Sequence, residues 1–323
     1  MPNQSFTPLA PLFRDPIYDG AADPTIIWNR QEKTWWLVYT NRRANVACQG
    51  VAWVHGTDLG IASSNDGGAS WLYRGTLQDL HYQPGRNTYW APEILWHADR
   101  YHMYVSYVPG IPLDWSGPRE MLHYTSLNMW DWQFESKLSL SSNKVIDACV
   151  FRMPSGRWRM WYKDEVNHGH TYAAESDDLY SWQVVGPVIT EMAHEGPNVF
   201  VWHGAYWMIV DYWHGQAVYR SSDALSWTRQ ADILGSPGMR ADDGAIGRHA
   251  DVLVQGDEAY IFYFTHPGEK LGKHYARAEV WPFEEKRTSL QVARLVYVDG
   301  VLICNRDEPF ELKLDAPTDS LAG

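Results

Sequence analysis

Cysteine is scarce in this chain of 323 residues: Cys48, Cys149 and Cys304 are scattered and never spaced as CxxC. That excludes a disulfide framework and a cysteine-bound zinc site, and it leaves buried free thiols as the reading. HExxH is missing although there are 13 histidines, and the "HGH" at 168–170 reads as a polar loop, so no catalytic metal is expected. Positive charge is also short, with 27 Lys and Arg against 39 Asp and Glu and a formal net charge of −12. Nucleic acid needs a basic surface to neutralise its phosphates, so a neutral substrate fits better. No apolar run reaches the length of a membrane span, and the opening residues lack the charged, apolar and small-residue order of a signal peptide. A cytoplasmic protein without a membrane partner is expected. Sustained helical periodicity is absent, which turns the reading toward an all-β chain.

What the chain has in abundance is aromatic residues and turn formers. The 18 Trp, 19 Tyr and 9 Phe beside 25 Gly and 18 Pro describe many short strands joined by tight turns. Most of these tryptophans serve to fill a β core. Some of the flat rings also suit the C–H faces of sugars.

Four tryptophans close similar segments: "SSNDGGASW" at Trp71, "TSLNMWDW" at Trp132, "ESDDLYSW" at Trp182 and "SSDALSW" at Trp227, at intervals of 61, 50 and 45 residues. Propeller blades repeat on that scale. Upstream of each turn lies an aromatic-rich strand, "TWWLVYT", "RYHMYVSY", "RWRMWYK" and "AYWMIVDY". A fifth copy, "AYIFYFTH", is followed by "HYARAEV" and "VARLVYVDGVLICN". Each is preceded by another apolar segment: "DPTIIW", "APEILW", "DACVF", "GPNVFVW" and "HADVLV". The pattern predicts a single-domain five-bladed β-propeller over residues 23–312, with residues 1–22 packing on it and 313–323 as a tail. A β-sandwich would not explain the period. The longer first interval holds "NRRANVACQGVAWVHGTD" (41–58), read as a loop over one face.

In a propeller the first strand of each blade lines the central channel, so residues at its start converge. Aligning the five segments places Asp23, Ala91, Asp147, Gly196 and His249 at equivalent positions, with Glu93 and Glu195 close by. Asp23 in "ADP" would on its own be a turn opener, and Glu195 in "EMAHEGPNVF" a solvated corner. Asp147 sits in "VIDACVF", where an unpartnered buried carboxylate is costly. Matching blade positions favour a shared site, in which crowding would separate the carboxyl pKa values into an acid and a base.

The joint pattern, Asp-Pro at the first strand, "WAPE" (90–93), "ID" (146–147), "EGP" (195–197) and "GRHADV" (247–252), resembles glycoside hydrolase family 43 and its five-bladed clan relatives over nearly the whole chain. The resemblance implies Asp23 as general base, Glu195 as general acid, and Asp147 as the residue that orients the acid and raises its pKa. It implies Trp90 at the sugar site and His249 in the axial channel near a bound cation such as calcium, with no cofactor required for the chemistry. Glycoside cleavage needs one protonated and one ionised carboxyl, and separations of about 6.5–9.5 Å go with inversion. Family 117, which acts on neoagaro-oligosaccharides, shares the scaffold and uses a histidine acid, which brings His194 into consideration. Glu93, Arg43, His55, His194 and Arg248 complete the expected substrate-binding set around Trp90. The expected activity is that of an inverting, exo-acting glycosidase on short neutral oligosaccharides.

Two other readings remain open at this stage. "SNDGGASW" matches the Asp-box turn S-x-D-x-G-x-x-W of sialidases, yet no arginine cluster stands at the strand starts. A non-catalytic carbohydrate-binding propeller would use the same aromatics without needing three carboxylates.

Overall fold

The five apolar segments become the first strands of five sheets: Ala21–Asn29, Thr88–His97, Val145–Arg152, Glu195–Trp202 and Ala250–Gln255. The aromatic-rich segments become the second strands, Thr34–Asn41, Arg100–Val108, Trp158–Asp164, Ala205–Asp211 and Glu258–Thr265. The computed structural model, which describes residues 6–270 and 276–317, adds a third and a fourth strand to each, giving five four-stranded sheets of consecutive strands. First strands of neighbouring sheets contact one another around a closed ring. The protein is a five-bladed β-propeller. In the "HYARAEV" segment the first two residues lie outside the described residues; the third strand of blade five is Ser289–Val298.

The tryptophan-closed segments join third to fourth strands, and side chains fold them locally. Asp178 accepts the N–H groups of Tyr180 and Ser181, and Asp223 accepts those of Leu225 and Ser226. Ser176 and Ser221 accept from the residues three further on. These are Asx and Ser turns, which explains why Ser and Asp recur before each tryptophan. The Trp132 indole N–H then closes its own turn on Met129 O at 2.9 Å.

Each blade buries its faces against its neighbours, so the apolar core is split into five clusters between blades. Trp36, Trp161 and Trp207, on second strands, are fully buried. Truncating any of them to Ala would cost about 3–5 kcal/mol. The ring closes between blades five and one, where Phe6 pairs with Leu312 and Phe13 with Leu290. Leu12, Phe310, Leu312 and Leu314 fill the cluster there. The described part of the N-terminal segment and residues 312–314 therefore lie on the last seam. No helix among the described residues is long and apolar enough to cross a membrane.

Candidate active site

Four first strands carry the same irregularity. Their pairing with the second strand slips by one residue, between Ala22 and Thr25, Trp90 and Glu93, Ile146 and Cys149, and Glu195 and Asn198. The residue inside each bulge has a left-handed backbone: Asp23 (φ 47°), Ala91 (φ 44°), Asp147 (φ 59°) and Gly196 (φ 58°). Bulges re-aim side chains, and positive φ in a non-glycine residue costs about 1 kcal/mol or more. Glycine is required at 196, because a Cβ there would stand 2.7 Å from the His249 ring.

These bulges surround a cavity of about 720 Å³, within the range that holds a small ligand. Asp23, Asp147, Glu195 and His249 all line it. His249 Nδ1 lies 3.8 Å from Asp23 Oδ1 and 3.8 Å from Asp147 Oδ2. Arg42 Nη2 donates to both oxygens of Asp23 at 3.1 Å, and its guanidinium stacks 4.7 Å from the Phe264 ring. Asp147 Oδ2 accepts the Gly196 N–H at 3.1 Å. Glu195 accepts from Lys163 Nζ (3.0 Å) and from the Trp213 indole N–H (3.2 Å). Buried Asp211 positions two of these partners by accepting the N–H groups of His249 and Trp213.

The proton affinities diverge. Burial, followed by the charges of Glu195 and Asp23 and opposed by His249, pushes Asp147 up to about 7. Burial would also raise Glu195, but Lys163, His249 and Arg248 outweigh it and hold the carboxyl down at about 2. This reverses the expectation that Asp147 lifts Glu195 toward neutrality, because the lysine at 3.0 Å dominates. His249 is stripped of charge by burial but regains it from Asp147, Asp23, Glu195 and Asp211, and its pKa ends raised.

Aromatic rings form much of the wall. Trp90, whose indole N–H is fixed to Val54 O at 2.6 Å, stands beside Trp115 with centroids 6.2 Å apart. Trp213 belongs to the Glu195 side, and Trp53 and Trp281 pack against each other at 5.7 Å. The segment 41–58 and residues 266–270 and 276–285 supply Trp53, Val54, Glu269, Lys270 and Trp281 to this wall.

Of the expected substrate-binding residues, Trp90 and Arg248 line the cavity, and four do not. Glu93 is directed past it, two residues along the strand, where Oε1 accepts the Val150 N–H at 2.7 Å. Arg43 braces the 41–58 loop by donating to His55 O and Ala52 O. His55 lies behind Trp90 with its Nδ1 on Val51 O, and burial lowers it to about 4. His194 is fully buried between Thr171 and Met192 O, burial lowers it to about 4, and it does not reach the cavity. Sequence reasoning missed Lys163, Trp213, Arg119 and Glu165. It also missed an arginine cluster: Arg42, Arg119 and Arg248 meet in one cavity.

The cation anticipated near His249 finds no ready-made ligand set. Among the described residues no three His, Cys, Asp or Glu side chains converge as metal ligands.

The sequence matches no protein-family model and no curated protein. The fold does match solved structures, among them the propellers of family-43 glycoside hydrolases. A thermostable family-43 glycoside hydrolase superposes with a TM-score of 0.68 at 18% identity, covering 94% of this chain and 100% of that one. A family-43 enzyme from Xanthomonas citri complexed with xylose gives 0.64 at 14% identity, covering 92% of each chain. The exo-β-1,3-galactanase of Phanerochaete chrysosporium gives 0.67 at 12% identity, covering 93% of this chain and 66% of that one.

Proposed function

We propose that the protein is a glycoside hydrolase that releases sugar from the end of short neutral oligosaccharides with inversion at the anomeric carbon. The observation that carries this is the convergence of Asp23, Asp147 and Glu195 from three blades on one aromatic-walled cavity, the two aspartates from left-handed backbone positions and Glu195 from beside the left-handed Gly196. In this reading Asp23, held through both oxygens by Arg42, activates water, and Glu195 protonates the leaving oxygen. Asp147 orients Gly196 and so the start of the strand that carries Glu195. A neutral substrate is supported by charge pairing: Arg42 meets Asp23, Arg119 meets Glu165, Lys163 meets Glu195, Arg248 meets Glu269 and Lys270 meets Glu285. The walls contributed by Trp53 and Val54 on one side and by Glu269, Lys270 and Trp281 on the other favour action at a chain end. The three free cysteines suit a reducing compartment, which supports a cytoplasmic setting.

The arginine cluster is the one feature that favours a sialidase-like reading. It carries less, since each arginine is already paired with a carboxylate and no tyrosine lines the described cavity to serve as a nucleophile. A panel of aryl glycosides, with NMR of the first-formed anomer, tests the proposal. Hydrolysis with inversion is expected, lowered about 10²–10⁴-fold in Asp23→Asn and in Glu195→Gln. Full activity in both variants would reject the catalytic assignment, and cleavage inside a long polysaccharide would reject the chain-end preference.

A further inference from the structure

We propose that Lys163 is the positioning residue that decides when Glu195 can carry a proton: the ion pair at rest keeps the carboxyl a pure acceptor, and the entering sugar must part the pair before Glu195 can act as an acid. This rests on the glycosidase reading and adds a residue and a control step to it.

The first ground is hydrogen bonding. Glu195 Oε2 accepts from Lys163 Nζ at 3.0 Å and Oε1 from the Trp213 indole at 3.2 Å. Ammonium and indole N–H groups only donate. Each oxygen thus already faces a donor and neither faces an acceptor for an O–H, so the arrangement favours the carboxylate. Lys163 is itself held in position. Its ammonium lies 3.6 Å from Glu165, whose carboxylate is fixed 2.8 Å from Arg119 Nε, and 5.0 Å from the Trp213 ring centroid.

The second ground is a broken pattern on the second strands. Thr40, Ser106, Lys163 and Asp211 occupy matching registers, opposite Ala22, Trp90, Ile146 and Glu195. Thr40 Oγ1 accepts the Ala91 N–H at 2.8 Å, Ser106 Oγ the Asp147 N–H at 3.0 Å, and Asp211 Oδ2 the His249 N–H at 3.0 Å. In three blades this residue therefore accepts a backbone N–H at the start of the next blade's first strand. A lysine cannot do so. Blade three gives up the acceptor, Asp147 takes over the Gly196 N–H at 3.1 Å, and the ammonium goes to Glu195. The fold has no need of a lysine here, whereas Glu195 is directly controlled by it.

The other charges facing Glu195 determine how its proton affinity responds to the loss of Lys163. Asp147 approaches from blade three, Asp211 from its own blade, and Arg248 and His249 from blade five. Without the lysine, burial and the two aspartates act on Glu195 against the remaining cations, Arg248 and His249 with Arg119 from blade two. Its proton affinity then rises, even though the side chain has not moved.

Carboxyl ¹³C NMR of glutamate-labelled protein, with the Glu195 signal assigned from Glu195→Gln, reads this without any substrate. In the wild type Glu195 is expected to stay ionised down to pH 4. In Lys163→Met its midpoint is expected at least two pH units above that of the wild type, and Lys163→Arg should behave as the wild type does. Lys163→Gln serves if the methionine variant does not fold. An ionised Glu195 at pH 4 in the lysine-less variant would overturn the proposal. On an aryl glycoside, the basic limb of kcat, which reports the bound complex, should lie at higher pH than that of kcat/KM, which reports the free protein. Lys163→Met should bring the two limbs together, and coincident limbs in the wild type would refute the parting of the pair by sugar. Absence of hydrolysis by the wild type would sink the glycosidase reading, whereas the NMR titration would still decide the hold of Lys163 on Glu195.

Discussion

Two rings of residues on the same five strands, two positions apart, do different work. The ring at the cavity mouth is Asp23, Ala91, Asp147, Gly196 and His249. Its first four members sit in bulges, and its charged members face the cavity. The ring beyond it is Thr25, Glu93, Cys149, Asn198 and Asp251. There the side chains bond to the next blade: Glu93 accepts the Val150 N–H, Cys149 Sγ that of Val199, Asn198 that of Val252 and Asp251 that of Ile26. Carboxyl groups occur in both rings, but in the mouth they face the cavity and in the second ring they hold blades together. Chemical type alone therefore does not mark a site residue; what matters is the free direction left after the backbone has taken its bonds.

The largest effect that would test this contrast is on turnover. Asp147→Asn is expected to lower kcat about 10²–10³-fold with the fold intact, checked by steady-state hydrolysis beside circular dichroism. The same change in rate for a second-ring variant would erase the distinction. Next comes stability. Asp251→Ala strips an acceptor from the Ile26 N–H, the Thr25 hydroxyl and the Asn198 amide, and should cost about 2–4 kcal/mol in urea unfolding, with activity per folded molecule kept within threefold.

Of the same order is the pH dependence of the mouth ring. Asp147 is raised from 3.8 to about 7 in the fold, so its contribution is complete below pH 3.8 and is lost as pH rises through 7. Asparagine stays neutral throughout. The stability of Asp147→Asn relative to the wild type should therefore climb by roughly 4 kcal/mol between pH 4 and pH 8, and a flat difference would show that the site does not hold this proton. The smallest effect belongs to the rim. Trp115 is 55% exposed, so Trp115→Ala should raise KM roughly fivefold through lost stacking, with kcat and melting temperature unchanged.

Much of the fold was legible because its causes are local. Asp178 and Asp223 fold their turns with bonds to residues two and three positions away, and that spacing repeats in the chain. Asp23 and Asp147 were found because equivalent places on repeated strands must meet at the axis. Glu93 was misplaced for a related reason: it shares the axial face with Ala91, and alternation reports the face of a strand but not the depth along it. His55, His194 and Arg43 stood near site segments in the chain, yet their polar atoms turned to backbone carbonyls or a buried threonine. Lys163 did leave a signal, since aligning the second strands sets a lysine in a column with Thr40, Ser106 and Asp211.

By itself the sequence determined the number of blades, their boundaries and which acidic residues approach the axis, because turn chemistry and strand alternation act over a few neighbouring residues. The tertiary structure alone decided which carboxyl keeps its proton. That depends on a lysine 32 positions away in the chain standing 3.0 Å from Glu195, and a Coulomb interaction is set by distance in space.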